Sequence, residues 1–215
     1  RATAKYTKKS KKKVVTSKIT TTVQTTTTQQ VSIANETAVS TTSSGTSVAQ
    51  ATAAASSSQN QSKYEANVAS VAGKMDNRVI AAYQQLGFKI VVDPSVNYSG
   101  YFDARSRSIT MKQIDDSVYH ELGHFLAFIA GNVDKTASFQ SIFAAEKANV
   151  TAFNKAYVTQ NASEYFAESV KDYILNNASL KSTRPQTYAA VQNALNQITD
   201  AQIAKIQKIY GAFWN

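Results

Sequence analysis

The chain contains no cysteine, which removes disulfide frameworks, thiolate metal sites and thiol nucleophiles together. Histidine, carboxylate, hydroxyl and lysine chemistry remain. Proline and glycine are scarce, at two and seven in 215 residues, and there are only two histidines, so few positions force turns and very few offer imidazole to a metal. No apolar run approaches the roughly 20 residues of a membrane-spanning helix, so no transmembrane segment is expected. No hydrophobic signal core follows Arg1, and a soluble, already processed chain is expected. The lack of cysteine fits an exported bacterial protein.

Acidic residues are absent from the first 35 positions, where eight basic residues run from Arg1 to Lys18 before Glu36. These eight account for most of the net charge of +9, because fifteen basic and fourteen acidic residues make up the remainder. The basicity therefore belongs to a tail. Residues 1–62 hold 26 serines or threonines and one aromatic residue, Tyr6, too little apolar surface to offset the entropy of ordering. They are expected to form a disordered linker. Its Lys8 to Lys13 cluster is suited to an anionic partner such as a cell-surface polymer. Nucleic acid ranks last as that partner, since no aromatics are interleaved for base stacking.

From Lys63 the aromatic content rises to that of a folded domain, expected over 63–215. Val68, Val71, Met75, Val79, Tyr83 and Leu86 follow helical spacing, and Gly87 is placed to end the helix in a left-handed cap. Phe88 to Val92 reads as a strand closed by Asp93-Pro94, and Gly100 to Ala104 with Ser108 to Lys112 as a hairpin. Asp115, Asp116 and Ser117 then start a helix that runs through Ile129 to Gly131. Thr136 to Asn149, Asn161 to Asn176, Pro185 to Gln197 and Thr199 to Phe213 carry further helical patterns or caps. A small sheet packed on a predominantly helical domain makes the fold class α+β.

Both histidines stand in His120-Glu121-Leu122-Gly123-His124. Positions i and i+4 of a helix share a face, so both imidazoles reach one ion while Glu121 flanks it as a general base. Five-residue patterns also arise by chance, but this one lies among Val118, Tyr119, Phe125, Leu126 and Phe128 on a helix behind a sheet. A catalytic zinc takes three protein ligands and keeps one position for water. With no third histidine and no cysteine, the third ligand has to be a carboxylate. The residue six places beyond His124 is Ala130, which excludes a third histidine there. Asp134, Glu146, Glu164, Glu168, Asp172 and Asp200 are the downstream candidates. Glu164-Tyr165-Phe166-Ala167-Glu168 stands out, because its two glutamates again share one apolar-flanked face, where one can ligate and the other orient a ligand histidine. The competing assignment gives Glu164 to a capping box with Asn161, and Glu168 to Lys155, Lys171 or solvent.

The run Tyr119 to His124, followed forty residues after His124 by Glu164 to Glu168, resembles the catalytic domain of anthrax lethal factor and the secreted Pro-Pro endopeptidases of Gram-positive bacteria. The resemblance covers roughly 63–215 and is strongest from Tyr101 to Ile174. It implies a zincin-type domain with one zinc ion, with His120, His124 and Glu164 as its ligands and Glu168 behind a ligand histidine. It also implies that Tyr157, seven residues before the ligating glutamate, stabilises the oxyanion. Ser163 precedes that glutamate, and no counterpart is evident for the loop that gives the Pro-Pro enzymes their substrate choice, so a proline requirement is not implied.

The expected function is that of a secreted or cell-surface zinc endopeptidase of a Gram-positive bacterium, acting on extracellular or surface proteins. Its substrate would lie extended along the sheet edge near Asn97 to Asp103, with Tyr98, Tyr101 and Phe102 lining the groove, although aromatics at strand spacing commonly fill a core. The alternative is a non-catalytic surface-binding module with a vestigial metal site.

Overall fold

The computed structural model describes residues 62–214. The lysine cluster at Lys8 to Lys13 and the expected linker up to residue 61 lie outside the described residues.

The described chain opens with β1 (Tyr64–Ala66), a strand the sequence pattern does not announce because it is only three residues long. The apolar spacing from Val68 to Leu86 predicts one helix, but two form, α1 (Val68–Val71) and α2 (Asn77–Gln85). The break follows from Gly73, which disfavours continuation, and from Asp76, whose side chain restarts the helix by accepting the Arg78 N–H at 2.9 Å. Val68, Met75, Val79, Tyr83 and Leu86 are nonetheless buried and Val71 partly so, so the periodicity still reports the core-facing side across the break. Gly87 follows α2 at φ +72°, in the left-handed cap expected of it.

Strands β2 (Lys89–Val92), β3 (Gly100–Asp103) and β4 (Ser108–Met111) complete a four-stranded sheet in the order β1-β2-β4-β3. β2 and β4 run parallel, while β1 and β3 pair antiparallel on the two outer sides. β3 is therefore an outer strand, with Phe102 opposite Ile109 and Gly100 opposite Met111. Asp103 closes the hairpin turn by accepting the Arg105 N–H at 2.9 Å.

Beneath the sheet runs α3 (Ser117–Ile129), in which every residue except Ser117 and His124 is buried. A helix apolar on nearly all sides has to be enclosed on nearly all sides, and here the enclosure comes from the sheet and from α6 (Ala162–Leu175). Phe88, Phe125 and Tyr83 pack edge to face or tilted, with centroids 4.9–5.4 Å apart. Gly131 and Asn132, at φ +89° and +58°, turn the chain out of α3.

Beyond α3, a 3₁₀ turn at Val133–Lys135 leads into α4 (Ala137–Glu146), a second at Lys147–Asn149 follows, and then α5 (Lys155–Val158). After α6 come α7 (Asn177–Thr183), α8 (Pro185–Asn196) and α9 (Asp200–Trp214). The expected helix over Thr136 to Asn149 is thus α4 plus a 3₁₀ turn, and α5 and α7 are additional. α9 returns to the hairpin, where the Trp214 indole donates to the Ala104 carbonyl at 2.8 Å and Arg107 stacks over its ring. The fold is α+β, and no described helix is long and apolar enough to cross a membrane.

Candidate metal centre

The two helices that matter meet where their side chains vanish, with Gly123 of α3 against the backbone of Ala167 of α6. Gly123 lies between the two histidines and Ala167 between the two glutamates, so this close crossing brings both pairs together. Asn161 sets the start of α6, its side chain accepting the Glu164 N–H at 2.9 Å. That is the cap foreseen for Asn161, but the Glu164 carboxylate does not fold back to complete a capping box. It faces the imidazoles, with Oε2 3.1 Å from His120 Nε2 and 3.6 Å from His124 Nε2.

Among the described residues, His120, His124 and Glu164 form the one histidine and carboxylate group whose ligand atoms, all within 4.8 Å of one another, suit a metal ion. A tetrahedral zinc about 2.0–2.2 Å from each donor would hold those donors about 3.4 Å apart, and the two observed separations bracket this figure. On the far side of His120, Nδ1 lies 2.9 Å from Glu168 Oε2, and Lys171 stands 3.5 Å from the other oxygen of Glu168. His120 therefore has a carboxylate on each ring nitrogen. A neutral imidazole has one N–H and one lone pair, so it cannot satisfy both partners unless a proton or a metal cation occupies the Nε2 side.

Electrostatics describe the same conflict. Burial works against a charged His120, but Glu164 and Glu168 outweigh it and raise its pKa to about 9. Burial also opposes the charge on Glu164, yet the two imidazoles hold its carboxyl far below the usual carboxylate range. Glu168, similarly opposed by burial, is lowered by His120 and Lys171.

Glu121 points to the sheet side of α3. Burial raises its pKa, an effect only partly countered by the histidines and by the backbone of Phe102. Gly100 lies directly against its carboxylate, so β3 approaches α3 closely at this position. A cleft of about 550 Å³ opens over His120 and Glu121, with Tyr98, Phe153 and Tyr157 around its mouth. The Tyr157 ring is 6.5 Å from that of His120 and the residue is 53% exposed. Partial burial and the neighbouring Glu164 push its hydroxyl up to about 12, so it stays a donor.

Tyr98 and Tyr101 are both exposed, their rings 5.9 Å apart, and Tyr98 borders the cleft. Phe102 turns the other way, its ring stacked 6.0 Å from Phe88 and close to Phe125. Most of its surface serves the core, and its remainder borders a second, smaller cavity beside His124. Of the other acidic candidates, Asp200 is exposed at the start of α9 and three have partners elsewhere. Glu146 accepts the Gln186 and Thr187 N–H groups and so caps α8, Asp172 pairs with Arg184, and Asp134 accepts the Ser163 hydroxyl. Three residues of the site carry no sequence signal of their role. Gly100 and Gly123 read as ordinary glycines until the close approaches are seen, and nothing in the sequence singles out Phe153, which is fully exposed beside the cleft.

Two imidazoles one turn apart, a carboxylate from a crossing helix and a buried glutamate over the same spot can hold a divalent cation and deprotonate a water beside it. Residues 96–194, which include all of these groups, match the family described as "Anthrax toxin lethal factor, N- and C-terminal domain". The chain is thus similar to that lethal factor family over a little under half of its length. Over 78 residues it is 41% identical to the Pro-Pro endopeptidase of Clostridioides difficile (strain 630). That match spans 34% of this chain and 34% of the relative, so the chain covers about a third of the curated protein it resembles.

Proposed function

We propose that the chain is a zinc-dependent endopeptidase whose ligands are His120, His124 and Glu164. The observation that carries this reading is His120 held between two carboxylates, Glu164 on Nε2 and Glu168 on Nδ1, an arrangement that fits a cation on one side and an orienting hydrogen bond on the other. When bound, zinc lowers the pKa of a coordinated water towards about 7 and polarises the scissile carbonyl.

The chain's own residues supply the proton transfers. Glu121, whose carboxyl is raised above its usual value by burial, takes a proton from the attacking water as general base and delivers it to the leaving nitrogen. The Tyr157 hydroxyl, which keeps its proton, donates a hydrogen bond to the carbonyl oxygen as negative charge develops there. Glu168 fixes the tautomer and direction of His120. The substrate lies extended along the free edge of β3, where backbone groups bind any peptide, and the cleft beside Tyr98 takes a side chain.

Extracellular or surface proteins are the substrates in this reading. A secreted or surface-associated setting is supported by the lack of cysteine, and the basic segment before the catalytic domain at 63–215 suits an anionic surface polymer.

The test is a cleavage profile of the zinc-loaded chain on a diverse peptide library. Cleavage is expected, and Glu121→Gln should lower it about 10²- to 10⁴-fold while zinc content stays unchanged. No cleavage of any peptide, or full activity in Glu121→Gln, would overturn the assignment.

A further inference from the structure

The smaller cavity, about 200 Å³, borders His124, Phe102 and Ser163, whereas the large cleft borders His120, Glu121 and Gly100. Along β3 the two therefore flank the metal ligands, one near Gly100 and the other near Phe102. Asp134 lines the smaller cavity although it is only 5% exposed. Its carboxylate accepts one hydrogen bond, from the Ser163 hydroxyl. Among the described residues no lysine, arginine or histidine nitrogen lies within 4.0 Å of it.

A carboxylate offers about four acceptor positions, and buried acids are almost always paired with a cation or a full set of donors. One hydroxyl leaves Asp134 well short of that. Lys135, the next residue, also borders the cavity but is exposed and does not reach the acid. No oxygen of Asp134 is sealed off without a partner, and the carboxylate borders the cavity, where a cation entering from outside can approach it. Phe102 and Phe128 give the same cavity apolar walls, and an apolar wall ending at an acid suits a side chain with a methylene stem and a charged tip. The Ser163 hydroxyl ties Asp134 to the first turn of α6, next to Glu164, so the acid is held near the proposed metal ligands.

We propose that this cavity is a subsite for a lysine or arginine side chain of the peptide substrate, with Asp134 as its specificity determinant. The proposal rests on the peptidase reading above. A substrate strand along β3 would set this basic residue on the His124 side of the bond to be cut.

The test begins with the zinc-loaded full chain on a library randomised on both sides of the cut bond, and lysine or arginine should be enriched at one position. Matched peptides carrying lysine or methionine at that position should then differ about 10- to 100-fold in kcat/KM, the range of a charge-assisted hydrogen bond. Asp134→Asn, which keeps the shape and removes the charge, should abolish that ratio. If this variant does not melt cooperatively, the wild type decides with peptides carrying lysine or acetyl-lysine there, and lysine should be cleaved faster by a similar factor. Cleavage without a basic preference, a preference that survives in Asp134→Asn, or equal rates for lysine and acetyl-lysine overturns the subsite and leaves the peptidase standing. Absence of any cleavage overturns both.

Discussion

A Cβ atom placed on Gly123 would lie 2.7 Å from both the Cα and the carbonyl oxygen of Ala167, so the α3–α6 crossing tolerates hydrogen at that position and nothing larger. Backbone cannot rotate aside as a side chain can, so Gly123→Ala has to push the helices apart. Overpacking of this kind costs about 1–3 kcal/mol. The variant should melt at a lower temperature and bind zinc more weakly, since Glu164 and Glu168 move away from His120 with their helix. A variant that melts lower yet binds zinc normally would show that the crossing serves stability alone.

Glu168→Gln should leave the fold intact and weaken zinc about 10- to 100-fold, the usual effect of removing the group behind a ligand histidine. Competition with a chromophoric chelator measures this directly. The amide still reaches His120 Nδ1, 2.9 Å from the carboxylate oxygen in the native chain, but no longer raises the basicity of the ring.

The pH dependence of metal binding has a definite sign. In the metal-free protein His120 holds its proton up to about pH 9, and metal binding has to expel it. Zinc affinity should rise about tenfold per pH unit from neutrality and level off near pH 9. Without metal, a raised histidine pKa stabilises the fold fully below its unfolded value of about 6.5, and that contribution is lost as pH climbs through about 9. The increase in melting temperature given by zinc should therefore grow with pH over this window, which calorimetry with and without a chelator measures.

Gly100→Ala should damage activity with little change in stability. The added Cβ would stand 2.7 Å from Glu121 Oε1 and Cγ, which displaces the carboxylate from its place over the metal ligands while β3 remains paired with β4. The expected outcome is a fall in kcat with zinc binding preserved. A normal kcat would mean that the β3 backbone, and not Glu121, yields to the methyl group.

The sheet hairpin, the helix carrying both histidines and the helix carrying both glutamates were legible in the sequence because periodicity and caps are local signals. Gly87 and Asn161 sit at the boundaries foreseen for them. The break between α1 and α2 was not legible, because the residues that face the core keep the same spacing across it. The triad was readable as a short list, since a chain with two histidines and no cysteine leaves only carboxylates for a third ligand. Which carboxylate approaches the histidines depends on a helix crossing, and the places of Gly100 and Asp134 depend on contacts between segments far apart in sequence. Phe102 shows the limit from the other side, because strand alternation gives two faces without saying which one is wet.

Eleven of the thirteen residues of α3 are buried, so the helix that carries His120 and Glu121 cannot shift without disturbing the core around it. Under the proposed function, such a bed cannot reshape itself around a guest, so a peptide substrate would have to straighten along the strand above it. Substitutions in the interior of α3 and changes at the site it carries therefore fall under a single constraint.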